Sequence, residues 1–140
     1  MRKDARETAF RILYSRLYND GDSSPLFEEL SKEAKLTDSE KQYALSLIYA
    51  VDSHREEIDS AIEELAAKAN YRLDRVYATD KCALLLGVVE MTYIKDVPIV
   101  VAIDEAVNLC SKYSTKESAS FVNGVFAEYK KRLDGKEVKQ

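Results

Sequence analysis

Hydrophobic positions recur at spacings of three and four along nearly the whole chain, and no stretch alternates as a strand would. The first stripe, Ala5, Ala9, Ile12, Leu13 and Leu17, predicts a helix from about Lys3 to Asn19. The polar run Asn19 to Ser24 reads as a loop. Ser24 and Pro25 then read as an N-cap and a first helical residue. They open a short helix that turns Leu26, Phe27, Leu30 and Ala34 inward. Thr37 and Glu40 have the spacing of a capping box. The long helix that follows runs to about Ala69, with Tyr43, Leu47, Ala50, Val51, His54, Ile58, Ile62, Leu65 and Ala69 on its apolar side. Asp52 and Ser53 mark a candidate break in it.

Asn70 to Thr79 is a connector with a short helical turn around Leu73–Tyr77. Asp80 to Ile94 is apolar almost all round, the pattern of a central helix covered on most sides. Asp96, Val97 and Pro98 stop it. Residues 98–113 form the next helix, whose apolar face holds Ile99, Ala102, Ile103, Ala106, Val107, Cys110 and Tyr113. After a turn at 114–117, the last helix runs over about 117–133 and buries Val122, Val125, Phe126, Tyr129 and Leu133. The expected fold is all-α, with six to seven helices in two small bundles packed together. One domain spans 1–140, made of an N-terminal subdomain over 1–69 and a C-terminal subdomain over 70–140.

A chain of 140 residues needs no disulfide or metal to hold such a core, since folding at this size buries roughly two-thirds of the exposed surface. No apolar run approaches the ~18 residues of a membrane span, and MRKDARETAF lacks the apolar segment of a signal peptide. A cytoplasmic protein without a membrane partner is expected.

The net charge of −4 argues at first against a polyanion partner. Its distribution changes that picture. Residues 1–16 carry Arg2, Lys3, Arg6, Arg11 and Arg16 against Asp4 and Glu7, a net of +3. Residues 130–140 carry Lys130, Lys131, Arg132, Lys136 and Lys139 against Asp134 and Glu137, again +3, so the middle is strongly acidic. A polyanion responds to the local patch rather than the total. Basic ends are also common solvated decoration, and charge alone leaves both readings open.

The chain offers little for catalysis. Cys82 and Cys110 sit inside apolar helical patterns, as buried reduced thiols do. There is no Cys/His cluster for zinc. His54 is the only histidine, and its neighbours Asp52, Ser53, Arg55 and Glu56 read as a solvated helix surface. The glycines at 21, 87, 124 and 135 are isolated, which leaves no phosphate-cradling loop. The carboxylate pairs Glu56/Glu57, Glu63/Glu64 and Asp104/Glu105 read as exposed faces. No enzyme, cofactor or metal is expected.

Two aromatics stand beside their helices' apolar stripes. Phe121 lies about 100° from Val122, and Tyr14 about 100° from Leu13, on a seam with Lys3, Glu7 and Phe10. A flank aromatic among basic residues can stack an unpaired base. Alternatively, the second bundle covers these flanks. Arg6 shares the face of Phe10 and Leu13, so it must leave the core at the bundle's end.

Three segments carry a family resemblance. The run VPIVVAIDEAVNL from Val97 to Leu109, followed by SASFVNGV from Ser118 to Val125, resembles the NusB transcription antitermination family. Ala5-Arg6-Glu7, Ala9 and Leu13-Tyr14-Ser15 are similar to the start of that family, and the order holds along the whole chain. NusB-like domains also occur fused to RNA methyltransferases, for which a chain of this length leaves no room. Asp4, Leu85, Asp104 and Tyr113-Ser114 depart from the usual pattern.

The resemblance implies two helical bundles and a transcription antitermination factor. It implies binding of boxA, a short single-stranded RNA in ribosomal RNA leader transcripts, together with the ribosomal protein NusE in an RNA polymerase complex. By residue, it implies RNA contacts at Arg2, Lys3, Arg6, Tyr14, Lys116, Glu117, Ser118 and Phe121. It places NusE against the second bundle, with Asp74, Asp80 and Glu90 as candidates on an acidic surface that would steer a basic protein. Asn123 and Gly124 read as structural, Gly124 permitting close helix packing. The alternatives are a homodimer whose flanks form the seam, or an RNA-binding module of an rRNA-modification pathway.

Overall fold

The computed structural model describes residues 2–68 and 76–135. Among these it contains seven α-helices and no strand. They are α1 (Arg2–Arg16), α2 (Ser24–Glu33), α3 (Asp38–Ser53), α4 (Arg55–Lys68), α5 (Ala78–Tyr93), α6 (Ile99–Tyr113) and α7 (Lys116–Asp134). The all-helical expectation holds.

Helix α5 is the axis of the molecule, because α1, α3, α4, α6 and α7 all pack against it. Its sequence requires this. Every residue from Cys82 to Met91 is buried, so no side of that stretch is left for solvent. Helix α1 packs beside α3, while α6 and α7 pack on each other. One continuous apolar core results, running from Ala5 and Ala9 through Leu84 and Met91 to Phe126 and Leu133.

Local signals set most boundaries. The Thr37 hydroxyl accepts from the Glu40 amide at 3.1 Å, and the Glu40 carboxylate accepts from the Thr37 amide at 3.0 Å, completing the capping box. The long helix breaks at His54, where φ −120° and ψ 20° leave the helical range, so it divides into α3 and α4. The His54 ring stacks on Tyr93 with centroids 3.8 Å apart. Helix α2 starts one residue earlier than its cap signal suggested. Ser23 is the N-cap and its side chain makes no capping bond. Instead the Asp22 carboxylate accepts from both the amide (3.0 Å) and the hydroxyl (2.8 Å) of Ser24. Thr115 caps α7 by accepting from the Ser118 amide at 3.0 Å. The turn expected around Leu73–Tyr77 lies mostly outside the described residues.

The glycine that permits close packing is Gly87, not Gly124. A Cβ on Gly87 would stand 2.2 Å from Cζ of Phe126, whereas one on Gly124 would meet nothing within 4 Å. Gly124 and Asn123 are exposed on α7.

Candidate nucleic-acid interface

The basic residues of α1 do not share one fate. Arg6 is 6% exposed and points into the protein. Its Nε lies 2.7 Å from Oε1 and 2.9 Å from Oε2 of Glu90, which is 2% exposed. The Tyr43 hydroxyl donates to Oε2 of the same carboxylate, which ties α1, α3 and α5 together at one polar point. Burial works against the Arg6 charge, but the Glu90 carboxylate outweighs it and the pKa rises. Burial, reinforced by Glu90, pushes the Tyr43 phenol far above its ordinary value. Arg2 donates to Asp96 at 2.7 Å and lies 4.2 Å over the Tyr43 ring. Lys3 is exposed, at the rim of a cavity of about 220 Å³ shared with Glu7, Glu105, Asn108, Leu109 and Lys112.

The expectations for Arg6, Asp80 and Glu90 as surface groups are therefore corrected. Arg6 and Glu90 are consumed by each other. Asp80 is buried, accepting from the Cys110 thiol at 3.3 Å. Helix α5 is covered on nearly every side, so acids along it fall inside. Asp74 lies outside the described residues.

Phe121 is also less exposed than a flank position suggested, at 7%. It lines a cavity of about 190 Å³ together with Val76, Tyr77, Asp80, Thr115, Glu117 and Ser118. Three of the predicted residues, Glu117, Ser118 and Phe121, thus meet at one place, with Asp80 beside them. Lys116 is exposed next to it, at the first position of α7.

Tyr14 opens onto a second, larger cavity of about 450 Å³, with Phe10, Arg11, Ser15, Leu26, Leu30, Thr79 and Tyr113. Tyr14 is 39% exposed, and its ring centroid lies 5.3 Å from that of the exposed Tyr18. The two cavities are neighbours. Tyr77 and Asp80 line the first and Thr79 the second, while Thr115 lines the first and Tyr113 the second. The result is a strip along α1, the α6–α7 turn and the start of α5. It carries exposed tyrosines at 14, 18, 77 and 113 beside Lys3, Arg11 and Lys116, together with Lys112, which is paired with Glu7. Aromatic faces among ammonium and guanidinium groups can hold unpaired bases and neutralise phosphates.

The strip adds Arg11, Tyr18, Tyr77, Lys112 and Tyr113 to the residues that the sequence singled out. Tyr113 looked like core because it continues the apolar face of α6. The signal that it is not fully covered is its position as the last residue of α6, where the stripe reaches the surface. Glu7 links it to α1. The Glu7 carboxylate accepts from the Lys112 ammonium at 2.7 and 2.8 Å and from the Tyr113 hydroxyl at 2.8 Å. Burial would raise the Glu7 pKa, but these bonds outweigh it and hold it below the ordinary range. Among the described residues, no group of three or more His, Cys, Asp and Glu could hold a metal ion.

Comparison with known proteins gives this strip a context. Residues 3–131 match the model of the NusB family. The chain is 33% identical over 136 residues to the transcription antitermination protein NusB of Geobacter sulfurreducens, covering 96% of this chain and 97% of that one. It is 36% identical over 131 residues to the NusB of Desulfotalea psychrophila, covering 89% and 92%. Among solved structures it resembles the antitermination factors NusB and NusE in complex with double-stranded RNA, with a TM-score of 0.81 and 32% identity over 94% of this chain and 96% of that one. It also resembles T. maritima NusB, with a TM-score of 0.83 and 30% identity over 94% and 91%.

Proposed function

The chain belongs to the NusB family, and on that premise we propose that it is an RNA-binding antitermination factor that takes boxA RNA of ribosomal RNA leader transcripts jointly with NusE. The observation that carries this reading is the strip of exposed tyrosines beside lysine and arginine, which joins Tyr14 to the Phe121 cavity. A related structure pairing NusB with NusE and double-stranded RNA supports NusE and RNA as the classes of partner.

In this reading the protein is an adaptor within an RNA polymerase complex in the cytoplasm. No described helix is long and apolar enough to cross a membrane. Lys3, Lys116 and the half-free Arg2 neutralise phosphates, while Tyr14 and the Phe121 cavity receive bases. Glu117 and Ser118 form the polar wall of that cavity. Arg6 acts only from the interior, by holding α1 in place. NusE docks on the second bundle, where Asp74 remains the acidic candidate and Asp80 borders the RNA cavity. The NusE contact adds avidity by tethering a second RNA-contacting surface.

Fluorescence anisotropy with labelled boxA RNA, with and without NusE, tests this. Three phosphate contacts on a single strand give a slope of log affinity against log salt of about −2. Affinity should rise when NusE is added and fall in Tyr14→Ala. A flat salt dependence, or equal affinity for an unrelated RNA in the presence of NusE, contradicts the reading.

A further inference from the structure

The contact between Glu7, Lys112 and Tyr113 is not explained by packing alone. Tyr113 lies at the end of α6, with its ring stacked on Phe10 at a centroid distance of 4.9 Å and an interplanar angle of 28°. Phe10 is buried beneath it, while Tyr113 is 36% exposed. Phe10 therefore covers one face of the tyrosine ring, the Lys112 ammonium lies 5.6 Å from the ring centroid, and Tyr113 borders the 450 Å³ cavity that also holds Tyr14 and Arg11. The hydroxyl donates to Glu7 at 2.8 Å, which holds the tip of the side chain in place, and the stack on Phe10 sets the plane of the ring. An aromatic ring that is backed by a second ring, held at its tip and partly exposed at the border of a cavity has the form of a stacking platform. A base laid on such a surface loses little extra freedom in the protein.

Glu7 does a second thing at the same point. Both its oxygens take the Lys112 ammonium, which therefore carries its charge already paired. A lysine beside an aromatic platform would otherwise attract any phosphate. Pairing it with a carboxylate removes that general attraction and leaves the platform to select by stacking. Arg11, at the rim of the same cavity, remains to meet the backbone. Its contact with Glu33 is a loose 3.9 Å between two exposed side chains.

We propose that Tyr113 is a further base-stacking residue for single-stranded RNA, and that Glu7 is the positioning residue that fixes its ring and masks Lys112. This rests on the RNA-binding reading above and extends it to a subsite formed between α1 and the end of α6. The occupant is an unpaired base, because the platform is aromatic and the remaining rim charge, Arg11, complements a phosphate.

The test uses the full chain with NusE and a boxA RNA carrying 2-aminopurine in place of single adenines. Stacking on Tyr113 should quench one of these probes in the wild type and less in Tyr113→Phe, which keeps the ring but loses its bond to Glu7. A full quench in Tyr113→Phe would overturn the positioning role of Glu7. In Tyr113→Leu, which keeps an apolar cover on Phe10, the quench should be lost and affinity should fall about tenfold. Glu7→Gln retains an oxygen for the Tyr113 hydroxyl but releases the Lys112 charge. It should keep the quench and steepen the salt slope by about 0.7, the value of one added phosphate contact on a single strand. Wild-type affinity and quench in a folded Tyr113→Leu would overturn the platform. An unchanged salt slope in Glu7→Gln would overturn the masking, and that arm holds even where Tyr113→Leu does not fold. Loss of NusE capture by Tyr113→Leu, with RNA binding intact, would make the ring a protein contact and reject the proposal. If the wild type binds no RNA with NusE present, the parent reading falls and this one with it.

Discussion

The Arg6 guanidinium lies along the Glu90 carboxylate, 84 residues away in sequence, with Nε within 2.9 Å of both oxygens and both side chains out of solvent. Removing one member of a buried pair leaves the other charge without compensation, at a cost of about 3–5 kcal/mol. Arg6→Ala should lower unfolding free energy by that order in urea titration, and Glu90→Ala by a similar amount. Joint replacement by Met and Leu should recover most of the loss, since the pair's desolvation penalty also disappears. A single Arg6→Ala variant as stable as the wild type would contradict the interior assignment.

Gly87 and Gly124 should respond in opposite directions to alanine. At Gly87 the new methyl would press on the Phe126 ring inside the α5–α7 contact. Overpacking of this kind costs typically about 1–3 kcal/mol. At Gly124 a methyl meets open space on an exposed helix face, so helix propensity dominates and stability should rise by about 0.5–1 kcal/mol. Chemical denaturation of the two variants side by side measures the contrast. Equal behaviour would contradict the packing described here.

The helices were legible because period 3.6 reports which side of an element is apolar, and the Thr37/Glu40 box reports where one begins. The family was legible from the segments around Arg6, Asp104 and Phe121. Less legible was what covers a given side. Arg6 and Glu90 carry no mutual signal, since their pairing depends on how α1 crosses α5. Glu90 and Asp80 looked like surface acids because polarity was read residue by residue. Their helix is covered all round, so those positions had to be interior. Tyr113 failed in the opposite sense. Its spacing matches core, yet it stands at the end of α6, where the stripe meets solvent.

The two cysteines should be inert in the folded protein. Burial pushes the thiol pKa of Cys82 to about 12. Burial, and next the Asp80 carboxylate, push that of Cys110 to about 12 as well. Thiolate is the reactive form, so at pH 8 almost none is present. A disulfide-exchange reagent should label neither residue on the timescale of minutes at that pH, and both once urea unfolds the chain. Rapid labelling of Cys110 under native conditions would show that α6 opens locally.

Glu7 should make stability depend on pH in the acid range. Its folded pKa is held below the unfolded value of about 4.5 because Lys112 and Tyr113 favour the charged form over the opposing effect of burial. A depressed carboxylate binds fewer protons in the folded state than in the unfolded one. Its contribution is therefore complete above the unfolded value and is lost as pH falls through the folded value. The stability difference between wild type and Glu7→Gln should be largest near pH 7, shrink below about 4.5 and flatten once both forms are protonated. Urea titrations at a series of pH values from 7 to 3 measure that difference directly. Because Lys112 is exposed, added salt should reduce the difference at pH 7 as well. A difference that stays constant across the acid range would mean that the Glu7 bonds to Lys112 and Tyr113 do not form in solution.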